Sequence, residues 1–307
     1  MLVSHAVEEM LLAKDYTSSS NRRRREVYDD FVGWAEREGV PDLSQLSRPI
    51  VRRYIADVRT RPNRKNGGHY ASATQHTHAA YVRALLRWCV DEGWLNEDVV
   101  RNFEMPKLEK KVVHVLTYHH YELMMKSAGE GFMDALHTRD RAILSLMMDT
   151  GLRAMEVCSL RREDVSITPH ESFIRVFGKG RKEREVGLGK QAKIAMRRCE
   201  LQGRPESSSP LFFLDRASKP LTPNAIDRML YRLRDVAGRK HFEGIRVSAH
   251  TLRHTFAVHY MESGSGDIYK LSRLLGHESV STTERYLRAF QARDARRNSR
   301  SVLDAIS

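Results

Sequence analysis

The chain has 307 residues, of which 41% are hydrophobic and 30% are charged, and its formal net charge is +13. This is a globular composition, long enough for two domains, and no apolar run reaches the length of a membrane span. So large a positive charge favours a polyanionic partner, DNA or RNA first and an anionic membrane surface second, although a solvated basic surface without function would also explain it.

The charge is concentrated in the second part of the chain. Residues 1–105 contain 16 Lys and Arg against 15 Asp and Glu, whereas residues 106–307 contain 36 against 24. Between them Pro106 interrupts the helical pattern, and Lys107, Lys110 and Lys111 follow. We therefore predict a linker over 106–116 between two domains, with an ordinary surface loop as the alternative.

The first hundred residues predict only helices. Apolar residues recur at helical spacing over 3–14, 18–39, 47–61 and 72–94. The stretch "RPNRKNGGHY" between the last two is polar, contains a pair of glycines and predicts a loop. The N-terminus contains Glu8, Glu9, Lys14 and Asp15, which indicates an amphipathic helix and not a signal peptide.

The second part mixes helices with a small β-structure. Helices are predicted over 118–129, 139–151, 153–164, 190–201, 222–238 and 249–260. In the second histidine-bearing segment, 274–287, an apolar helix ends at His277, a Ser/Thr turn follows, and a short helix comes next. The stretch "SFIRVFGKGRKEREVGL" has β-branched and aromatic residues on both sides of a glycine-rich centre, which predicts a hairpin or small antiparallel sheet. A charged tail over 291–307 follows. The predicted fold class is therefore mainly α with a small antiparallel β-sheet (α+β).

Three cysteines, Cys89, Cys158 and Cys199, are far apart and have no CxxC spacing. This pattern predicts free thiols in a reducing cytosol, without a disulfide framework or a cysteine-type zinc site.

Cleaving a DNA strand and resealing it without an energy source requires a nucleophile that keeps the phosphodiester energy in a covalent bond, which a tyrosine does. Its phenol has a pKa of about 10 and needs help to lose its proton. The pentavalent transition state carries extra charge on the non-bridging oxygens, which two arginines can bind in fixed geometry. Histidines can donate to the same oxygens or accept the phenol proton, and a lysine can protonate the leaving 5′-oxygen.

The second part of the chain contains each of these residue types. Arg153 follows "DTGL" at a helix start, where backbone N–H groups also favour phosphate. Arg253 comes one helical turn after His250, so the two side chains can point the same way. His277 ends the apolar run "LLGH", and Tyr286 lies on the next short helix.

A lysine is also available in the predicted hairpin. Lys179 is at the tip of "GKGRK", between two glycines that would let the loop approach DNA, and Lys182 in the same hairpin competes for the role. Taken singly, each residue has an ordinary interpretation, such as a salt-bridge arginine, a turn lysine, a core tyrosine or a histidine at a helix C-terminus. Together they favour a phosphate site with a tyrosine nucleophile, because all five chemical roles occur within one basic region.

Four stretches, "TGLRAMEVCSL", "GKGRKEREV", "AHTLRHTFAVHY" and "LLGHESVSTTERYL", resemble the tyrosine recombinases, also called the phage integrase family. The resemblance covers roughly 112–290, and the last two motifs are the most specific. It implies an all-helical, SAM-like core-binding domain over 1–105, a catalytic domain over 117–290, and a tail over 291–307 that packs on a neighbouring subunit. The two domains would form a C-shaped clamp around duplex DNA.

The resemblance also implies which residues act on the phosphate. Arg153 and Arg253 would clamp the scissile phosphate, and His277 would hydrogen-bond to it. Glu156, one turn after Arg153, matches the acidic position that supports the site, and it would also be an ordinary i,i+3 partner of Arg153.

The remaining implied roles concern bond exchange and proton transfer. Tyr286 would be the nucleophile that forms a 3′-phosphotyrosyl link. His250 would assist as an acid or base, and Lys179 would be the general acid for the 5′-hydroxyl. No cofactor and no metal is implied.

The same resemblance implies partners. The DNA partner would be double-stranded, with inverted-repeat core sites. The protein would act as a homotetramer on two DNA sites, exchange strands through a Holliday junction, and bind an accessory or directionality factor. It would act in the cytoplasm on the nucleoid, without a membrane. Side chains expected to contact the DNA backbone, for which a solvated charge run is the alternative, are Arg22, Arg23, Arg24, Arg25, Arg64, Lys65 and Lys182.

Several functions stay open at this point. The chain would begin directly with its core-binding domain, as a compact Xer- or Cre-type recombinase or a mobile-element integrase does. The segment "GDIYKLSRLLGH" favours integration or excision of a mobile element over chromosome or plasmid dimer resolution. A type IB topoisomerase uses nearly the same residues, and a DNA-binding module without catalysis is a further alternative. Zinc is disfavoured because the helix with His250, His254 and His259 lacks an HExxH glutamate. ATP use is not implied, because "GKGRK" lacks the Walker spacing and its Ser or Thr.

Overall fold

The computed structural model of the chain describes residues 1–63, 67–109, 114–129, 134–178, 182–263 and 266–284. These residues are mostly helical and contain one small antiparallel sheet, which confirms the predicted mainly α fold class. The chain divides into two compact units, Met1–Lys111 and Val112–Ser307. That division falls inside the stretch predicted as a linker.

The described residues of the first unit form four α-helices with an apolar core of their own. Helix α3 shows why these segments are helical, because its buried residues Val51, Tyr54, Ile55 and Val58 recur at the helical period and form one apolar face. The helices are α1 (Val3–Ala13), α2 (Ser18–Arg37), α3 (Arg48–Thr60) and α4 (Ser72–Asp91), with short 3-10 turns at Leu43–Gln45 and Glu97–Val99.

A polar network connects three of these helices inside the first unit. The carboxylate of Asp30 on α2 accepts a hydrogen bond from Tyr54 on α3 (Oη–Oδ2 3.0 Å) and forms an ion pair with Arg61. His78 on α4 lies 3.0 Å from the same tyrosine hydroxyl. Burial alone would raise the pKa of Asp30, but the hydrogen bonds from His78 and Arg61 outweigh it and lower that pKa. A buried hydrogen-bonded network of this kind favours one packing of the helices.

The second unit surrounds the buried helix α6, whose apolar residues form the centre of its core. Its elements are α5 (Tyr118–Ser127), α6 (Asp134–Thr150), α7 (Ala154–Ser159), β1 (Val165–Ile167), β2 (Ser172–Phe177), β3 (Glu183–Gly187), α8 (Lys190–Arg198), α9 (Pro223–Ala237), α10 (Ala249–Glu262) and α11 (Ile268–Leu275).

One predicted helix, over 153–164, is wrong in its extent. Helix α7 ends at Ser159, because Leu160 adopts an extended backbone and its carbonyl accepts a hydrogen bond from the N–H of Phe212 (2.7 Å). After a 3-10 turn the chain enters β1, a strand that the sequence patterns did not reveal. The sheet has the order β1-β2-β3, with both pairs antiparallel.

Alternation along the sheet separates an apolar inner face from a charged outer face. Ile174 and Val176 of β2 point inward, and their partners across the ladder are Val186 and Arg184 of β3. The outer face has an ion pair between Arg175 and Glu183 (2.8 Å). Because side chains alternate along a strand, Arg184 lies on the same inner face as Val186, two positions further along β3.

The chain at the start of the second unit is attached to α10. The N–H of Leu116 donates to Thr255 Oγ1 (3.0 Å), and its carbonyl oxygen lies 3.0 Å from Nε2 of His259. Leu116 is fully buried. Two side chains of α10 therefore hold the extended segment that precedes α5.

The three cysteines are free and buried. Burial raises the pKa of Cys158 to about 11 and those of Cys89 and Cys199 to about 12. A thiol with so high a pKa is a poor nucleophile and acts as a packing residue. Among the described helices, none is long and apolar enough to cross a membrane.

Candidate active site

The C-terminal turn of α11 brings three arginines together. The last carbonyls of a helix have no partner within the helix and form the negative end of its dipole, so cations are favourable there. Three consecutive carbonyl oxygens of this turn each accept a hydrogen bond from a different guanidinium. The pairs are Leu274 with Arg184 (Nε, 2.8 Å), Leu275 with Arg253 (Nη2, 2.7 Å) and Gly276 with Arg153 (Nη2, 3.0 Å).

Gly276 is required at this turn by two independent observations. Its φ of 62° is left-handed and ends α11 in the manner of a Schellman-type cap, with its N–H bonded to main-chain oxygens of Ser272 and Arg273. A β-carbon at this position would lie 2.8 Å from Nη1 of Arg184. The glycine of "LLGH" therefore both ends the helix and leaves space for a guanidinium.

Glu156 is the buried anion of the site and contacts two of the arginines. Its carboxylate accepts from the backbone N–H of Arg153 (2.8 Å) and from Arg153 Nη1 (3.0 Å), which caps the N-terminus of α7. Arg184 donates to both of its oxygens, at 3.0 and 2.9 Å. The side chain of Glu156 is 5% exposed and that of Arg153 41% exposed. Glu156 thus holds Arg153 at the edge of the site, where the guanidinium still faces solvent.

The pKa of Glu156 reflects these contacts. Burial, the largest effect, would raise this pKa, but the Arg184 hydrogen bonds, the Arg153 N–H and the two guanidinium charges together lower it. The carboxylate is therefore ionised at neutral pH, which an anchor for two cations requires.

Arg253, on α10, is buried at the centre of the site, with 4% of its surface exposed. Nη1 donates to the carbonyl of Gly151 (2.8 Å), and Nη2 lies 2.8 Å from Nε2 of His277. Because a guanidinium only donates, His277 Nε2 accepts this bond and the ring proton lies on Nδ1. Nδ1 is 2.8 Å from Oγ1 of Thr283, a fully buried side chain in the helical turn at 280–284. The histidine is thus oriented from both sides.

Gly151 ends α6 and supplies the carbonyl that Arg253 uses. Its φ is 64°, and a β-carbon there would lie 2.4 Å from Cδ1 of Phe256. The glycine of "DTGLR" is therefore needed both for its backbone conformation and for the close approach of α10.

We expect Gly151→Ala to lower the free energy of unfolding of the second unit by about 2–4 kcal/mol, the sum of left-handed strain and overpacking. Urea denaturation of the full chain measures this loss. Gly244→Ala is the matched control, because Gly244 has a φ of 72° but no heavy atom within 4 Å of the added β-carbon. The control should lose only about 1 kcal/mol from backbone strain, and equal losses in the two variants would contradict the packing argument.

The other predicted site residues lie in different places. His250 is exposed at the start of α10, one turn before Arg253. Lys182 is exposed at the base of the β2–β3 connection, where its carbonyl accepts from the N–H of Gly178 (2.8 Å). Four predicted residues lie outside the described part of the chain: Arg64, Lys65, Lys179 and Tyr286.

The arginine run of α2 mostly has partners within its own unit. The guanidinium of Arg24 lies over the rings of Tyr16 and Tyr81, at 4.2 and 4.6 Å, in a cation–π arrangement. Arg25 forms a two-bond ion pair with Glu8 (2.6 and 2.8 Å). Arg22 pairs with Glu26 at 3.4 Å, and Arg23 is exposed. Of the four, Arg23 is the side chain whose described surroundings leave it most available to a phosphate.

Two residues of the site were missed by sequence reasoning, Arg184 and Thr283. The signal for Arg184 was present, because it lies two positions before Val186 on the apolar face of a strand, and an inward arginine requires a carboxylate. Thr283 had no comparable signal, since its partner is a histidine six residues earlier across a turn.

The described residues hold no cluster of three or more His, Cys, Asp or Glu side chains that could bind a metal ion. The three histidines of α10 considered for zinc have unlike surroundings: His250 is exposed, His254 is 1% exposed, and His259 contacts Leu116 and Glu262.

Comparison with known proteins agrees with this arrangement of arginines and histidine. Residues 114–293 match the model of the phage integrase family. The chain belongs to this family, the tyrosine recombinases, whose members cleave and rejoin DNA.

Individual relatives match over nearly the whole chain. "Tyrosine recombinase XerD" of Corynebacterium glutamicum is 32% identical over 286 residues, which cover 92% of this chain and 89% of the relative. The structure of XerH recombinase bound to its palindromic difH substrate has a TM-score of 0.74 at 18% identity, covering 95% and 83% of the two chains. The Tn1549 transposon integrase in complex with transposon right end DNA also has a TM-score of 0.74, at 14% identity, covering 96% and 99%. At these identities the two structures show a shared fold.

Proposed function

We propose that this protein is a site-specific DNA recombinase that cleaves each strand through a 3′-phosphotyrosyl intermediate on Tyr286. The observation that carries the proposal is the convergence of Arg153, Arg253 and His277 on the turn at the end of α11. Two guanidiniums and an imidazole from different elements, held by main-chain carbonyls, are suited to bind the non-bridging oxygens of one phosphate.

In the proposed mechanism two arginines bind the phosphate from different directions. Arg253 comes from the protein interior, while Arg153 reaches from the exposed edge and keeps its orientation through Glu156. A phosphate oxygen would replace the contact between Arg253 and Nε2 of His277, and the histidine would then donate to that oxygen in its protonated form. Apart from this exchange the groups are held in place by main-chain carbonyls and Glu156, so that little further reorganisation is needed to stabilise the developing charge.

Tyr286 attacks the phosphorus, which forms a phosphotyrosyl bond and breaks the bond to the 5′-oxygen. The phenol proton passes to a base, for which His250 is the candidate at the exposed start of α10. Lys179 protonates the leaving 5′-oxygen, with Lys182 as the alternative donor in the same hairpin. The reverse reaction with a different 5′-hydroxyl reseals the strand, so no cofactor is consumed.

For the biological role we propose integration or excision of a mobile element, and the segment "GDIYKLSRLLGH" supports this choice. Resolution of chromosome or plasmid dimers is the second candidate, supported by the 32% identity to a relative named XerD. The recombining unit in either role is a homotetramer on two inverted-repeat DNA sites, in which the tail over 291–307 packs on a neighbouring subunit. Because the substrate is DNA, the protein would act in the cytoplasm on the nucleoid.

A covalent-trap experiment tests the proposal. The purified protein and a Tyr286→Phe variant are incubated with sheared DNA from the same source, denatured with detergent and passed through a filter that retains protein. Sequencing the retained fragments should give ends that converge on one short inverted repeat with the wild type, and no retained fragments with the variant. The flanking sequence then separates an element junction from a chromosomal or plasmid resolution site.

Three other results would contradict the proposal. Ends dispersed over the genome would indicate a topoisomerase of the same chemistry. Absence of adducts from both proteins, with DNA binding intact, would indicate a binding module without catalysis. Adducts from the Phe variant would contradict the assignment of Tyr286.

A further inference from the structure

We propose that Arg184 is a positioning residue of the recombinase. Its hydrogen bonds to both oxygens of Glu156 keep Arg153 oriented toward the scissile phosphate. The inference rests on the proposed function and concerns a residue that lies on the inner face of the sheet. Arg184 lies on β3 and donates to the carboxylate of Glu156 in the first turn of α7. It also donates to the carbonyl oxygen of Leu274 near the end of α11. It therefore connects three elements of the second unit at one point.

The first argument is the use of hydrogen bonds. Arg184 spends Nη1 and Nη2 on the two oxygens of Glu156 and Nε on the carbonyl of Leu274. Its side chain is 12% exposed. These bonds use three of its five N–H donors and fix the guanidinium against Glu156 and the main chain. The role that these contacts indicate is therefore support of Glu156.

The second argument is what Glu156 would do without Arg184. A carboxylate and a guanidinium favour a two-bond, fork-to-fork pair. At present Arg153 donates one side-chain bond to Glu156, through Nη1, and its Nη2 reaches the carbonyl of Gly276. With Arg184 removed, the Glu156 oxygen that accepts from Nη2 of Arg184 keeps only the backbone N–H of Arg153 as a donor. The preferred two-bond pairing then draws the Arg153 guanidinium inward, away from Gly276 and the phosphate.

The third argument is charge. Glu156 has one negative charge shared between two guanidiniums, so the cluster keeps a net positive charge. Without Arg184 the pair of Arg153 and Glu156 is neutral, and its attraction for a phosphate falls. Loss of orientation and loss of charge act in the same direction.

The inference is tested by the single-turnover rate of covalent adduct formation on a nicked DNA duplex. This duplex contains the core site that the covalent-trap experiment identifies. We expect Arg184→Met to slow adduct formation about 10²-fold, as loss of one oriented donor does. Arg184→Lys should recover only part of this loss, because an ammonium keeps the charge but cannot bridge two carboxylate oxygens and a carbonyl. Arg175→Met is the control, since it removes an ion-paired arginine from the outer face of the same sheet. It should stay within about 3-fold of the wild type.

Two readouts distinguish positioning from a merely structural role. The double variant Arg153→Ala with Arg184→Met should lose no more activity than Arg153→Ala alone, because both changes remove the same contact. A methylphosphonate at the scissile position, which replaces a charged non-bridging oxygen by a methyl group, should relieve the defects of Arg153→Ala and Arg184→Met together.

Several outcomes would overturn the inference. These are a wild-type rate for Arg184→Met, additive losses in the double variant, or a defect of Arg184→Met that the methylphosphonate leaves unchanged while it relieves Arg153→Ala. If the wild type itself forms no adduct, the proposed function fails and the inference fails with it. Adducts from the wild type and Arg184→Met at equal rates overturn the inference alone.

Discussion

Replacing Arg253 by lysine is expected to lower the rate of covalent adduct formation by about 10³-fold, the upper range for loss of an oriented donor to a developing oxyanion. The guanidinium binds the carbonyls of Gly151 and Leu275 and the ring of His277 at the same time. A lysine ammonium is a point charge on a flexible stem and cannot span these acceptors and a phosphate oxygen together. Retention of the positive charge should leave affinity for the DNA site within a few-fold of the wild type.

Single-turnover cleavage of the recovered core site, with DNA affinity measured in parallel, checks this expectation. Arg204→Lys is the matched control, because Arg204 also donates to main-chain carbonyls, but to those of Pro205, Ser209 and Leu211 and not to those at the ends of α6 and α11. The control should lose stability without a comparable loss of cleavage rate. Equal losses of rate in the two variants would show that the effect comes from folding and not from the phosphate contact.

Replacing Glu156 by glutamine is expected to lower the free energy of unfolding at pH 7 by about 3 kcal/mol, as for a buried ion pair that loses one partner. The effect depends on pH because the folded-state pKa of Glu156 is lowered from its ordinary value of about 4.5. The stabilisation is fully present above that value and is lost as pH falls through the folded pKa. The difference between wild type and variant should therefore be constant from pH 7 to about pH 5 and shrink at lower pH.

Urea denaturation at pH 7, 5 and 4 measures this difference. Glu163→Gln is the control, because Glu163 pairs with Arg161 at 2.6 Å but is 68% exposed, and an exposed pair contributes below about 1 kcal/mol. A difference between wild type and Glu156→Gln that grows as the pH falls would contradict the sign of the pKa shift. Adduct formation by Glu156→Gln should also fall, because Arg153 loses its ionised anchor.

Much of the fold followed from local pattern, because period and punctuation are local properties. Helix α3 could be predicted from four apolar residues on one face, and β2 with β3 from alternation around a glycine-rich centre. Strand β1 could not, since three residues with intermediate burial give no period to detect. The helix predicted over 153–164 ended early for a tertiary reason, namely the hydrogen bond from the N–H of Phe212 to the carbonyl of Leu160.

The candidate site shows the same division. The types and order of Arg153, Arg253 and His277 were readable because each is tied to a short motif. The supports of the two arginines were not, because the acceptors at Gly151, Leu275 and Gly276 are main-chain oxygens, which every residue possesses and no sequence pattern marks. Glu156 was found as a neighbour of Arg153, while its second partner comes from a strand 28 positions further along the chain.

The acceptors at the end of α11 have a consequence for how this protein tolerates mutation. Three arginines are held by oxygens that belong to the backbone, so exchange of the side chains at positions 274 and 275 for other apolar residues leaves those oxygens in place. Only the third position is constrained, because Gly276 must adopt its left-handed conformation beside a guanidinium. At positions 274 and 275, therefore, the site is buffered against sequence drift, and selection falls on the donors, on Glu156 and on Gly151 and Gly276.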